Sequence, residues 1–273
     1  MQADLVIRNG ELIAKEEANI SIYNKAFFFD FAVYSNIKVV QGKMFMPELE
    51  IEKLFESARI IGLKHNFIKE KIIEWMKKLI GANKLKDALV RVLLIGPEKE
   101  MEPELVLFPV GLTFYPDKSY NEGVKLITFE GERQFPSAKT MDLLLGYVAY
   151  REAAKKDAID ALLVDGQGNI REGTRSSFFA IKGNSLIMPP KKKILEGTTR
   201  KIISEIAPEI LDVKEEDIPL KRIREYDEHF ITGTTLNVMP VRQIDDIVLR
   251  ESAGEKTKML QKLFEEYCKA LAH

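Results

Sequence analysis

The sequence predicts an α+β fold in two domains, and three observations carry that prediction. Short runs of β-branched and aromatic residues recur in both halves of the 273-residue chain. Apolar residues fall at i, i+3, i+4 and i+7 from Ile51 onward, and a second such stripe runs from Met259 to the C-terminal end. Between the halves, Tyr-Pro-Asp-Lys-Ser-Tyr-Asn-Glu-Gly at 115–123 is the best candidate for a break. The expected organisation is a small domain over 1–116, a linker at 117–123 and a larger domain over 124–273.

Residues 4–8, 11–14 and 18–22 read as short strands, the first two separated by Asn9-Gly10. Residues 26–46 read as a long hairpin turning at Gln41-Gly42, and most of the rings from Phe27 to Phe31 read as core. Ile51, Leu54, Phe55, Ala58 and Ile61 share one face of a helix beginning at Leu49, and a second helix covers about 68–80 and stops near Gly81. Strands at 88–95 and 104–114 complete the first half. Beyond the linker come a strand at 124–129, a helix from Met141 to Lys156, and strands at 160–164, 177–182 and 185–188. Turns fall at Asp165–Asn169 and Lys182–Asn184. A helix at 199–211, a short one near 221–226 and a strand at 229–232 precede the last helix. Met259, Leu260, Leu263, Phe264, Tyr267 and Leu271 form the apolar stripe of that helix.

Composition removes several classes of function. Lys and Arg total 41 against 42 Asp and Glu, so the basic excess that marks a nucleic-acid binder is absent. The single cysteine, Cys268, excludes an intramolecular disulfide and a Cys-rich metal site. His65, His229 and His273 lack the i, i+4 spacing of metalloprotease helices, which argues against a metal site built on histidine. Asp4 and Arg8 interrupt what would be the apolar core of a signal segment, and no run approaches ~18 uncharged apolar residues. The expectation is a soluble, cytoplasmic protein with neither a membrane nor a nucleic acid as partner.

Three segments of the second half carry candidate chemistry. In Pro136-Ser-Ala-Lys139-Thr-Met-Asp, Lys139 stands just before a helical pattern among few other charges. A solvated lysine is the default reading, and a nucleophilic amine is the sharper one. In Ile170-Arg-Glu172-Gly-Thr-Arg-Ser-Ser, Glu172 ends a strand, either as an exposed charge or as a carboxylate aimed at a cationic ring nitrogen. In Leu195-Glu-Gly197-Thr198-Thr199-Arg200, a glycine and two threonines open a helix. They read first as a cap and then as a phosphate site, where amides, hydroxyls and the helix dipole meet. A Walker loop is excluded, because its Lys-Ser/Thr ending is missing. Gly233-Thr234-Thr235-Leu236 forms another hydroxyl-rich turn after a strand.

Taken together and in this order, Lys139, Glu172, Gly197-Thr-Thr-Arg and Gly233-Thr-Thr resemble the fold-type IV family of pyridoxal-phosphate enzymes. That family, also called the class IV aminotransferases, includes branched-chain and D-amino-acid aminotransferases and aminodeoxychorismate lyases. Lys53-Leu-Phe-Glu-Ser57-Ala58 resembles the family's Arg-Leu-x-x-Ser-Ala helix, and the similarity extends over most of the chain. The resemblance implies a small N-terminal α/β domain, a larger mixed α/β barrel-like domain, a homodimer and pyridoxal 5'-phosphate as cofactor. It implies that Lys139 holds the cofactor as an internal aldimine and moves the substrate's α-proton. Glu172 would pair with the ring nitrogen, and Lys53, Gly197, Thr198, Thr199 and Thr234 would hold the phosphate. Tyr34 would line the substrate side, with amides of the turn at Thr234, Thr235 and Leu236 offered to a substrate carboxylate.

The sequence also departs from the family pattern. Lys53 stands where the family has arginine, offering a point charge without the bidentate fork; Arg200 is a neighbour that could compensate. Ser177 replaces the usual asparagine, and Asp30-Phe31-Ala32 replaces Gly-Asp-Gly in the first hairpin. The loop Gly96–Pro103 lacks the Arg-x-His pair of D-amino-acid aminotransferases. The leading expectation is therefore an aminotransferase acting on a branched-chain-like amino acid and a 2-oxo acid. The alternatives are a lyase releasing pyruvate, and a family member that binds without catalysing. Arg91 and Arg133 carry no role at this stage.

Overall fold

The computed structural model describes residues 3–97 and 102–271 and divides into two compact units. One takes Met1–Thr113 with Ala138–Asp142, and the other takes Phe114–Ser137 with Leu143–His273. Residues 98–101 of the acidic loop, His273 and the side chain of Leu271 lie outside the described residues.

In the first unit, Asn9 and Gly10 adopt φ of 50° and 92° and fold β1 (Leu5–Arg8) back on β2 (Glu11–Ala14). A short helix, α1 (Lys25–Phe28), is capped by Asn24, whose side chain accepts from Ala26 N–H at 2.8 Å. Strand β3 (Ala32–Val40) turns at Gln41-Gly42 into β4 (Lys43–Met44). Helices α2 (Pro47–Ile60) and α3 (Lys69–Ala82) follow, then β5 (Ala88–Ile95) and β6 (Glu104–Val110). The six strands lie in the order β2-β1-β6-β5-β3-β4. Strand alternation puts Val33, Ile37, Val39, Val90, Val92 and Leu94 on one face, packed against Ile51, Leu54 and Ala58 of α2 and Ile72, Met76 and Leu79 of α3. The opposite face carries half-buried Tyr34, Asn36, Arg91 and Leu93.

Several expectations change here. Residues 18–22 form no strand, and 26–31 form α1 and a turn instead of half of a hairpin. Phe27, Phe28 and Phe29 are 60%, 67% and 78% exposed, so they are surface and not core; Phe31 alone of that run packs inward. Phe27 and Phe28 end α1 and Phe29 follows it, and adjacent residues turning about 100° each cannot bring three rings to one side. The segment read as a linker forms a helix, α4 (Asp117–Glu122), ended by Gly123 at φ 85°, and it belongs to the second unit. Residues 138–142, placed by the sequence reading in the second domain, cluster with the first unit.

The second unit continues with β7 (Val124–Glu130), α5 (Leu144–Lys155), β8 (Asp160–Val164), β9 (Asn169–Gly173), β10 (Ser177–Lys182) and β11 (Ser185–Met188). Next come α6 (Thr198–Ile206), β12 (Asp212–Glu215), β13 (Ile218–Pro219), β14 (Glu228–Gly233), β15 (Asn237–Ile244), β16 (Ile247–Val248) and α7 (Glu255–Leu271). Strands β10-β14-β15-β7-β8-β9 pair in sequence, and the pairing of β9 with β10 closes them into a six-stranded ring. All five residues of β8 and of β9 are buried, as expected of a barrel wall covered on both sides. Helix α7 turns Thr257, Leu260 and Phe264 inward, while Met259, expected on its stripe, is 49% exposed. Its first turn is fixed by buried Glu228, which accepts from Thr257 N–H at 2.8 Å and from the Thr257 hydroxyl at 2.6 Å. Among the described residues no helix is long and apolar enough to cross a membrane.

His229 on β14 is buried between Phe178 and Tyr226, and one ring nitrogen meets Ile223 O at 3.1 Å. Burial lowers its pKa from 6.5 to about 4. The unfolded chain therefore takes up a proton below pH 6.5 that the folded chain refuses. This contribution to stability is complete above pH 6.5 and lost as pH falls toward 4, by about 3 kcal/mol in all. His229→Gln, which keeps an N–H donor, should remove that slope. Urea midpoints of both proteins between pH 4 and 8 check this, because their difference isolates the histidine from other titrating groups.

Candidate active site

Lys139 lies in the short stretch that joins the first unit. Tyr34 N–H donates to Lys139 O at 3.0 Å, Met141 N–H donates to Ala32 O at 3.0 Å, and Val33 and Thr140 form an isolated bridge. The stretch thus lies against β3 as a short extra strand. Ser57 on α2 accepts from Lys139 N–H at 3.0 Å while donating to Lys53 O at 2.8 Å. Lys53 and Ser57 are one helical turn apart and share the face of α2 that meets Lys139. The Lys139 ammonium lies 5.2 Å from the centre of the Tyr34 ring, and the Arg91 guanidinium lies at the same distance. Arg91 is steered there by Asn36 on the paired strand, whose Oδ1 accepts from Nε at 3.0 Å. The sequence reading names Lys139, Lys53 and Tyr34, and the structure places all three in this one cluster. It misses Arg91 and Asn36; both occupy the alternate, non-core positions of their strands.

The second cluster sits at one end of the barrel. Glu172 is 4% exposed, and its register partners are Leu163 on β8 and Ser177 on β10. Ser177 in turn pairs with Thr232 on β14. Glu172, Ser177 and Thr232 therefore form a row across three adjacent strands. Thr232 Oγ1 is buried with no hydrogen-bond partner. Arg133 Nε lies 3.0 Å from Glu172 Oε1, and Leu195 N–H reaches Oε2 at 3.4 Å. Burial drives the Glu172 pKa upward to about 7, against the opposing pull of Arg133 and the Leu195 amide.

The loop after Glu172 is drawn tight by buried Asp160, which accepts from the Thr174 hydroxyl at 2.5 Å, Ser176 Oγ at 2.7 Å and Thr174 N–H at 3.2 Å. Helix α6 begins beside this row: an added Cβ on Gly197 would lie 3.4 Å from Ser177 Oγ. Thr198 and Thr199 are buried in its first turn, and its N-cap residue is Gly197, which has no side chain to cap with. Thr234 and Thr235 occupy the middle of the turn between β14 and β15, next to the Arg175 carbonyl, which is 3.2 Å from where a Cβ on Gly233 would stand.

Two expectations need correction. Leu236 N–H already donates to Gly233 O at 3.1 Å and its side chain is core, so its amide is not the one offered to a ligand. Arg200 is 1% exposed and donates to Pro189 O at 2.9 Å with Glu215 3.5 Å away, so it anchors α6 from inside and does not compensate for Lys53. The sequence reading also misses Arg133 as the partner of Glu172, because their contact depends on the fold and not on spacing.

The comparisons with known proteins agree with this architecture. The family model described as amino-transferase class IV matches residues 32–244. A Methanocaldococcus jannaschii protein named "Putative branched-chain-amino-acid aminotransferase" is 27% identical over 274 residues, 94% of each chain. The D-alanine aminotransferase of Staphylococcus epidermidis strain RP62A is 30% identical over 274 residues, covering 96% of this chain and 97% of that one. The crystal structure of the Escherichia coli branched-chain amino acid aminotransferase superposes with a TM-score of 0.89 at 24% identity, covering 97% of this chain and 94% of its own. That likeness establishes the fold, a mixed α/β chain with a barrel-like second unit.

Gly173 is the tightest point of the second cluster. A Cβ there would stand 2.0 Å from Ser176 Oγ and 2.5 Å from Asp160 Oδ2. Gly173→Ala should break the Asp160 network and cost about 2 kcal/mol or more. Chemical denaturation checks the stability, and the amide signals of Thr174 and Ala161, which meet Asp160 Oδ1 at 3.2 and 2.9 Å, should move with it.

Proposed function

The chain belongs to the class IV aminotransferases, and from that premise we propose a pyridoxal-phosphate-dependent enzyme that moves an amino group between a branched-chain-like amino acid and a 2-oxo acid. The observation that carries this reading is Glu172, a buried carboxylate held beside Arg133 at the mouth of a closed barrel. Such a group has no structural need to be acidic, and it fits a cationic ring nitrogen.

The rest of the donor set fits the same cofactor. The start of α6, with Gly197 at the N-cap and Thr198 and Thr199 in the first turn, suits a phosphate, and Thr234 adds a hydroxyl. Lys53 brings a cation on the face of α2 that fixes Lys139. Lys139 would supply the amine that holds the cofactor, and its Nζ is the group placed to hold and move the substrate's α-proton. Its backbone is fixed on both sides, so only the side chain is left to move. Bound pyridoxal phosphate supplies the electron sink that weakens bonds at the amino acid's α-carbon. Tyr34 and Thr235 contribute an aromatic wall and a donor on the substrate side.

The D-alanine aminotransferase relatives favour a second reading, with a D-amino acid as donor and the same chemistry. A homodimer is part of the proposal. Tyr23, Phe27, Phe28 and Phe29 on the first unit, and Leu144 and Tyr147 on the second, are exposed apolar surface that a second copy would cover. A cytoplasmic setting suits the single cysteine.

The purified protein should turn yellow with pyridoxal phosphate, and borohydride reduction followed by peptide mapping should label Lys139. Lys139→Ala should lower kcat roughly a hundred- to ten-thousand-fold, the scale of a lost acid–base group. A colourless, unlabelled protein at saturating cofactor, or no 2-oxo-acid-dependent transfer from any L- or D-amino acid, overturns the reading. Sedimentation should give about twice the 31.2 kDa chain mass.

A further inference from the structure

Arg133 enters the reading above only as the neighbour of Glu172, yet the fold goes to some length to deliver it. It lies on the irregular segment after β7, beyond Gly131 at φ 151°. A Cβ at Gly131 would stand 2.7 Å from Leu145 Cδ1, so the glycine lets this segment lie against α5. Gly131 N–H is tied to Val164 O at 2.9 Å. The turn brings the guanidinium over the barrel end, with side-chain exposure of 16%.

Its other attachments are slight. Nη2 reaches Thr174 O at a long 3.4 Å, and the buried Nε–H is not aimed along a hydrogen bond although Glu172 Oε1 is 3.0 Å away. Charge, not hydrogen-bond geometry, couples the two residues. Among the described residues, Arg133, Asp160 and Arg200 are charged groups that act on Glu172. Asp160 opposes the carboxylate charge and is committed to Thr174 and Ser176. Arg200 is committed to Pro189 O and lies beside Glu215 and Glu196. That leaves Arg133 as the main counter-charge to Glu172, and it engages only one of the two carboxylate oxygens.

We propose that Arg133 is the positioning residue of the Glu172 carboxylate: it engages Oε1 and thereby leaves Oε2, held only by the long bond from Leu195 N–H, as the oxygen for a cationic ring nitrogen. This rests on the cofactor reading above. Without Arg133 the buried carboxyl would keep its proton at neutral pH, and a protonated carboxyl cannot pair with a ring cation.

The test uses Arg133→Gln and Arg133→Lys in the full chain, with carboxyl-labelled glutamate followed by difference infrared spectroscopy and Glu172→Gln to identify the signal. In the cofactor-free protein, Glu172 should titrate near pH 7 in the wild type and roughly one to three pH units higher in Arg133→Gln. Arg133→Lys, which keeps a charge in place, should fall between, and it serves as the test where the glutamine variant does not fold. Pyridoxal phosphate binding, followed by absorbance, should weaken at least about tenfold in Arg133→Gln at pH 7 and recover toward higher pH. An unchanged Glu172 midpoint in the folded variants, or binding with the wild-type pH profile, overturns the proposal. If the wild type itself binds no cofactor, the cofactor reading fails, and the proposal with it, whatever the infrared midpoint does.

Discussion

The pairing of Glu172 with Ser177 closes the six-stranded ring of the second unit, and much else in that unit follows from it. Closing the ring there forces the chain from Glu172 to Ser177 through four residues, Gly173 to Ser176, with Gly173 N–H donating back to Ser176 O at 2.7 Å. A turn this tight leaves backbone and hydroxyl groups facing inward, and Asp160 collects them. Glycine at 173 is the condition for that arrangement, because the space a Cβ would fill already holds Ser176 Oγ and Asp160 Oδ2. The closure also places Glu172 where burial and the charge of Asp160 raise the cost of its own charge, so a cation has to come from elsewhere in the chain. The ring explains why the carboxylate is buried, and the charge of Arg133 opposes the effect of that burial on its ionisation.

The neighbouring strand position shows a different solution to the same problem. Arg171 is 2% exposed and ion-paired to both Asp165 and Asp217, and Asp165 also accepts from the amides of Gln167 and Asn169 at 2.9 Å. That network is saturated: each oxygen of Asp165 has a donor, and the turn before β9 is fixed by it. A buried ion pair completed in this way is structural. Glu172 is the next residue of the same strand and is under-satisfied, with one off-axis ion pair and one long amide contact. A saturated and an unsaturated buried charge thus stand on adjacent residues, and the unsaturated one belongs to the candidate site.

Legibility in the sequence follows the range of the interactions. Strands at 88–95, 160–164, 177–182 and 185–188 are readable at their observed bounds, because each is a mainly apolar run. Strand β15 is not: Pro240 sits inside it, and proline argues against a strand paired on both sides. The helix at Asp117–Glu122 is hidden by a polar composition that reads as a loop, and the aromatic run from Phe27 reads as a buried strand when its rings are exposed. Lys139, Glu172 and the threonine turns are visible as a pattern in order. Their partners are not, since Ser57 to Lys139 and Arg133 to Glu172 are contacts that only the folded chain defines.

The two candidate clusters hold their central residues by opposite means, and the difference matches what each residue would have to do. Lys139 is fixed through its backbone: its carbonyl accepts from Tyr34 N–H, its own N–H donates to Ser57, and its ammonium lies beside the Tyr34 ring. A group that must form and break a bond needs a fixed origin and a mobile end. Glu172 is fixed through both: its backbone is locked in β9 between β8 and β10, and its carboxylate is engaged by Arg133 and the Leu195 amide. A group that must only present charge gains from immobility, because a preorganised dipole or ion does not reorganise as charge develops opposite it. Substituting Ser57 would therefore loosen where the amine starts from, whereas substituting Arg133 would change what the carboxylate is.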